Sequence, residues 1–211
     1  MAGVSEELLR VIPRLWRGSR LPASWRTVPT GFVDLDRRLS GGGWPLGAVV
    51  ELLAATVGIG ELRLLLPLIG RLSRSGNHVL FVDPPHRLNA VALHAAGVDP
   101  DRLLALHPSR LRDTLWAAEQ ALHNAACGAV LLWPREERGL NDTHIRRLQL
   151  AAQEGQSMLF LYRTVADRCS SHAMLRLELL PAKAGLQLNV LKAAGMRASG
   201  LVIRDSSFGG C

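Results

Sequence analysis

The sequence predicts an α/β fold: a mostly parallel β-sheet flanked by helices, with an antiparallel β-hairpin at its C-terminal side. Two patterns lead there. Between Ala48 and Tyr162, short continuous apolar runs alternate with segments of helical spacing, which is how strands buried on both faces and their crossover helices read. After Met174 the pattern changes to alternation, LRLELL and LQLNVL, as for strands with one covered face.

The elements follow in order. Residues 1–29 read as an N-terminal arm, 30–205 as one core domain and 206–211 as a frayed tail. In the arm, Ser5 can cap a short helix that Pro13 interrupts. Trp16, Arg17 and Trp25 follow in a loop-rich stretch. Tryptophans beside arginines suit a partner anchor, and equally suit folding back onto the core. Asp34–Leu39 is a short helical turn. Gly41-Gly42-Gly43, with Pro45 and Gly47, forms a tight turn. The strand candidates are Ala48–Ala54, Val79–Asp83 (read as buried), Leu103–His107, Ala129–Trp133 and Ser157–Tyr162. The helix candidates are Leu62–Ser73, Leu88–Ala96 ended by Gly97, Arg110–Asn124 and Thr143–Glu154 stopped at Gly155. Met174–Leu180 and Leu186–Leu191 form the hairpin around Lys183–Gly185, and Leu201–Arg204 is a third strand.

Composition excludes several classes. Of the 211 residues, 48% are hydrophobic and 20% charged, which suits a folded chain. No apolar run reaches the ~20 residues of a membrane-spanning helix. Met1–Arg10 carries Glu6 and Glu7 and lacks a signal-peptide pattern, so a cytoplasmic protein is expected. Cys127, Cys169 and Cys211 have no CxxC spacing, and the seven histidines form no HExxH pair; neither a metal site nor a disulfide framework is expected. The net charge of +7 comes from arginine, since the only lysines are Lys183 and Lys192. It favours anionic partners such as nucleic acid or an acidic protein face. Arg176, Lys192, Arg197 and Arg204 fall in the tail, where they form either a DNA-contacting face or a charge-protected sheet edge; the edge is the plainer reading.

The strongest motif runs from Thr30 to Gly47: Thr30-Gly31, then Leu35-Asp36, then the triple glycine, then Pro45-Leu46-Gly47, then an apolar strand carrying Glu51. It resembles the lead-in to the core of RecA-family proteins. The resemblance implies that a phosphate-binding loop, GxxxxGK[ST], follows. Such a loop surrounds phosphates with backbone N–H groups, its lysine reaches the terminal phosphates and its hydroxyl holds magnesium. Here the stretch is Ala55-Thr56-Val57-Gly58-Ile59-Gly60-Glu61-Leu62. Ala55 replaces the first glycine, Glu61 the lysine and Leu62 the hydroxyl, while Gly60 remains. The resemblance places Pro85, after Asp83, where the family has a glutamate that orients water. It places Trp133-Pro134 where a magnesium-linked aspartate belongs. No nucleotide cofactor, no metal and no hydrolysis are therefore expected.

Within this superfamily the segments Gly43–Gly47, Pro84-Pro85-His86, Asp113–Leu122 and Cys127–Leu131 resemble ImuA, the translesion-synthesis accessory family, over roughly residues 27–165. Lys192 also matches a lysine of a RecA-family interface strand, while Ala194 stands where a second would be. The resemblance implies an SOS-induced, non-catalytic adaptor. Its implied partners are a Y-family-like polymerase homologue and an error-prone replicative-type polymerase. Self-association and contact with RecA are further partners suggested by likeness of fold, DNA remains open, and no membrane partner is expected. The competing expectation is a SulA-like cell-division inhibitor that binds the tubulin-like division protein.

Overall fold

A parallel strand cannot return through a tight turn, so each apolar run must be joined to the next by a crossover, usually a helix. The computed structural model has this form. It describes residues 26–135, 139–164, 171–183, 185–193 and 199–204. A short pair, β1 (Thr27–Val28) and β2 (Trp44–Pro45), brackets helix α1 (Val33–Arg38). Then come β3 (Ala48–Ala54), α2 (Leu66–Arg74), β4 (His78–Val82), α3 (Ala90–Ala95), β5 (Leu103–Leu106), α4 (Leu111–His123), β6 (Cys127–Leu132), α5 (Asp142–Gly155) and β7 (Met158–Thr164). The chain continues with β8 (Leu175–Ala182), β9 (Gly185–Ala193) and β10 (Ser199–Arg204).

One eight-stranded sheet has the order β10-β9-β8-β3-β7-β6-β4-β5. The strands from β8 to β5 run parallel, and β8, β9 and β10 pair antiparallel. The expected hairpin is thus joined to the parallel sheet through β8 beside β3. Two apolar layers cover the sheet. On one face Phe32, Leu35, Trp44, Leu68 and Leu93 pack against Val50, Leu52, Phe81 and Phe160, and Trp44 meets Phe160 edge-on at 5.3 Å. On the other, Ala118 and Leu122 of α4 and Ile145, Leu148 and Ala152 of α5 pack against Val49, Val130, Leu132 and Leu159. A polar bracket aligns α5 with β3: Gln149 accepts from the Val49 N–H at 2.9 Å and donates to the Gly47 carbonyl at 3.1 Å.

The strand expected over Leu103–His107 is β5, the outer edge of the sheet, with Leu104 52% exposed; an apolar run does not report which strand ends the sheet. Three expectations change. The helix expected from Leu62 becomes regular only at Leu66, because residues 61–65 make turns first. Thr27–Val28, placed in the arm, pairs with Trp44–Pro45. Gly155 does not stop its helix. It is the last residue of α5, and Gln156 takes the left-handed conformation at φ 52°. Gly155 is needed for close approach instead, since a Cβ there would lie 1.8 Å from the Leu122 carbonyl oxygen. Gly155→Ala must push α4 and α5 apart. We expect it to destabilise the fold by about 3 kcal/mol, read as a lower midpoint in urea denaturation.

Candidate functional site

In open α/β sheets, ligand clefts form beyond the carboxyl ends of the parallel strands. Here a cleft of about 440 Å³ opens over β3, β4, β6 and β7, lined among others by Thr56, Glu61, Asp83, Trp133, Arg135 and Tyr162. A second, mostly apolar groove of about 390 Å³ adjoins it and shares Glu61, Pro84, Pro85 and Trp133.

The loop after β3 forms the cleft's near wall. Gly58 and Gly60 have φ of 84° and 101°, a backbone that residues with a Cβ rarely adopt. No atom lies within 4 Å of where their Cβ would be, so backbone conformation rather than crowding calls for glycine. Ala55 is exposed, and Leu62, at the expected hydroxyl position, packs against the core. Glu61 is 7% exposed and turns into its own loop, where its Oε1 accepts the Gly58 N–H at 2.8 Å. The chain's own carboxylate therefore occupies a loop donor of the kind that cradles phosphate oxygens elsewhere.

Across the cleft, Trp133 follows β6 and stacks between its neighbours. It lies 4.2 Å from Tyr162 at 7° and 6.2 Å from Phe81 at 9°. The Trp133 ring thus occupies the strand end where the resemblance places a metal-binding aspartate. The Tyr162 hydroxyl is held well above its ordinary range, first by burial and then by the charge of Glu61. Asp83 is buried with φ 55°. It pairs with Arg135 at 2.5 Å, and His107 stands at 3.7 Å.

A charged cluster supports the site from the middle of the sheet. Glu51 of β3 has no exposed surface. Its Oε1 meets Arg163 at 3.1 Å and the Ser171 hydroxyl at 2.7 Å, and its Oε2 meets Arg176 at 2.5 Å. Lys192 donates to the Ser171 carbonyl at 2.6 Å. Burial, and then the charge of Arg176, pull the Lys192 ammonium below its ordinary range.

The sequence-derived site residues separate accordingly. Ala55, Gly58, Gly60, Glu61 and Leu62 lie along the cleft and its adjoining groove. Arg176, expected on a basic surface, is instead buried and bound to Glu51, because β8 lies inside the sheet beside β3. Lys192 faces Arg176 across β8 and β9, and Arg204 ends β10. Trp16, Arg17, Trp25 and Arg197 lie outside the described residues. Sequence reasoning missed Arg135, Tyr162 and Arg163 as cleft residues. The signal available was the polar end of each strand's apolar run, where α/β sites gather. Among the described residues no group of three or more His, Cys, Asp or Glu is placed to hold a metal ion, and no helix is long and apolar enough to cross a membrane.

These features define a RecA-like α/β domain whose phosphate-type loop is occupied by its own carboxylate. Residues 47–159, just over half of the chain, match the family described as Cell division inhibitor SulA. The RecA protein of Prochlorococcus marinus is 36% identical over 132 residues, covering 60% of this chain and 34% of its own length. The RecA of Salinispora tropica is 31% identical over 136 residues, 61% of this chain and 39% of its own. That of Fusobacterium nucleatum is 30% identical over 115 residues, 54% and 30% respectively. The chain thus spans about a third of the length of the RecA proteins it matches. The chain belongs to the SulA family, as a distant RecA-like, SulA-like protein of the ImuA type.

Removing Glu51's charge would leave Arg163 and Arg176 buried without their shared counter-ion. Glu51→Gln should lower unfolding free energy by about 3–5 kcal/mol, measured in urea. Adding Arg176→Met to that variant should recover part of the loss.

Proposed function

We propose that this protein is a non-catalytic accessory factor of the bacterial DNA-damage response. In this reading it is an adaptor in SOS-induced, error-prone translesion synthesis. It works in the cytoplasm with a Y-family-like polymerase homologue and an error-prone replicative-type polymerase. The observation that carries the non-catalytic part is the placement of Glu61, buried and bonded to Gly58 N–H. A triphosphate entering the loop would meet an anion in place of a cation. Each like-charge contact at 4 Å costs about 4 kcal/mol at an effective dielectric of 20. The RecA-family resemblance places Trp133, stacked on Tyr162, where a magnesium-linked aspartate belongs, and Pro85 where a water-orienting glutamate belongs. The adaptor role itself is supported by the ImuA-like segments, of which Trp116 on α4 is exposed while Ala118 and Leu122 are buried in the core.

A second reading is favoured by the family match over residues 47–159: a division inhibitor that binds the tubulin-like division protein. Contact with DNA through Lys192, Arg197 and Arg204, contact with RecA and self-association are compatible with either reading. Direct phosphate contact would show as a salt dependence whose log–log slope flattens by about 0.7–0.9 for each neutralised cation.

Calorimetric titration of the full chain with magnesium-ATP should give no binding up to millimolar nucleotide; tight, magnesium-dependent binding would overturn the non-catalytic reading. Co-purification with the Y-family-like partner is expected. Filamentous cells on overexpression, with no polymerase complex at micromolar concentration, would decide for the division inhibitor.

A further inference from the structure

The sheet ends at β5, and no other strand borders its outer side among the described residues. The Leu106 carbonyl accepts the Asp83 N–H at 2.7 Å, so the backbone groups of Leu106 point towards β4. Backbone groups alternate sides along a strand, and those of Ala105 and Leu103 therefore alternate to the outside. Such an open row of donors and acceptors is a template for another strand, which edge strands commonly block with charge or proline. The sequence of β5 is Leu-Leu-Ala-Leu, with neither. The side chains leave the edge apolar as well. Leu104 and Leu106 pair with Leu80 and Val82 of β4, which are buried in the layer that α4 and α5 cover. One strand further out the same face is uncovered, and Leu104 and Leu106 are 52% and 43% exposed.

We propose that β5 is a docking edge for a second copy of this chain, pairing antiparallel with the same strand about a two-fold axis at Ala105, so that two sheets become one. The inference goes beyond the functional readings above and holds for either of them. Two features select this occupant. The strand is complementary to itself in this register. Ala105 points outward and exchanges N–H and C=O bonds with Ala105 of the second copy, while Leu104 falls opposite Leu106 of the second copy. These leucines form non-hydrogen-bonded pairs, the kind whose side chains approach more closely, and all lie on the one uncovered face. A register slipped by one residue would oppose outward-pointing groups to inward-pointing ones and turn the leucines to different faces. Charge selects the direction. Asp99 and Asp101, with Arg102 between them and the strand, lead into β5, and His107 and Arg110 follow it. Asp83, beside that exit, is already met by Arg135. Antiparallel pairing brings the acidic lead-in of each copy towards the basic exit of the other, whereas parallel pairing would set like ends together. A two-fold contact uses the same surface on both copies and closes at a dimer, unlike a head-to-tail contact.

Sedimentation velocity of the full chain at micromolar concentration should show monomer and dimer in equilibrium, with no larger species. Hydrogen exchange, read by nuclear magnetic resonance, should show the Leu103 and Ala105 amides slowing as the dimer fills. Ala105→Pro removes a donor that points away from β4, a position where an edge strand tolerates proline. It should raise the dimer dissociation constant about tenfold or more. Leu104→Lys changes an exposed side chain and should weaken the dimer to a similar extent while melting near the parent temperature. A chain that stays monomeric overturns the proposal, as does a dimer that neither substitution weakens. Growth into open-ended assemblies overturns the two-fold contact. Protection of the Leu103 and Ala105 amides that is already complete in the monomer overturns it too, because the edge would then be covered by the chain itself.

Discussion

Glu51 sits in mid-strand at the centre of the sheet, with β7 on one side and β8 on the other. Arg163 comes from β7, Arg176 from β8 and Ser171 from the approach to β8, and all converge on its two oxygens. A buried ion cluster of this kind adds little net stability, because desolvation offsets most of the attraction. Its effect is on alternatives. Slipping β7 or β8 by one residue would turn an arginine to the other face and leave Glu51 unpaired. Aliphatic strands such as MLFLY and VVELLA offer few other marks of register. The cluster thus fixes how the parallel strands and the C-terminal antiparallel strands join. It also fixes where β3 ends, which determines where the loop of Glu61 emerges.

In that loop a side chain of the chain itself satisfies a backbone donor. Gly58 and Gly60 retain left-handed φ values, yet the donor they set up is taken by a side chain three residues on. The other replaced positions are also absorbed into structure. Leu62 packs on the core, and Trp133 joins an aromatic row from Phe81 to Tyr162. Each replacement fills space or satisfies a group, so the strand ends form a packed rim. Losses that left cavities or bare donors would have weakened the fold.

Much of this was legible in the sequence, for physical reasons. Runs such as VLFV and AVLL have one reading when helices cover both sheet faces, and β3, β4, β6 and β7 lie where those runs predict. Alternation in LRLELL and LQLNVL marked strands with two unlike faces, and β8 and β9 pair there. The replaced residues of the loop were located through the RecA-family resemblance of the lead-in before them. Sheet order was not legible. That β8 lies against β3 depends on long-range pairing, and it is what buries Arg176. The exposure of β5 was hidden for the same reason. Gly155 looked like a helix stop because glycine often is one, whereas its reason for being glycine is the nearby backbone of Leu122.

The distinction between a lost site and a changed one turns on Glu61. Had the lysine position become a small or apolar residue, the loop would be a bare turn with exposed donors, and a weak anion site would persist. A glutamate does more, because it brings in the charge that the loop would otherwise recruit from outside. Glu61 then satisfies the Gly58 N–H from within the loop, and its side chain is buried rather than turned to solvent. Asp83 is answered by Arg135, while Arg163 shares the single carboxylate of Glu51 with Arg176. A loop that carries its own anion presents a like charge, rather than a counter-charge, to any phosphate that approaches its donors.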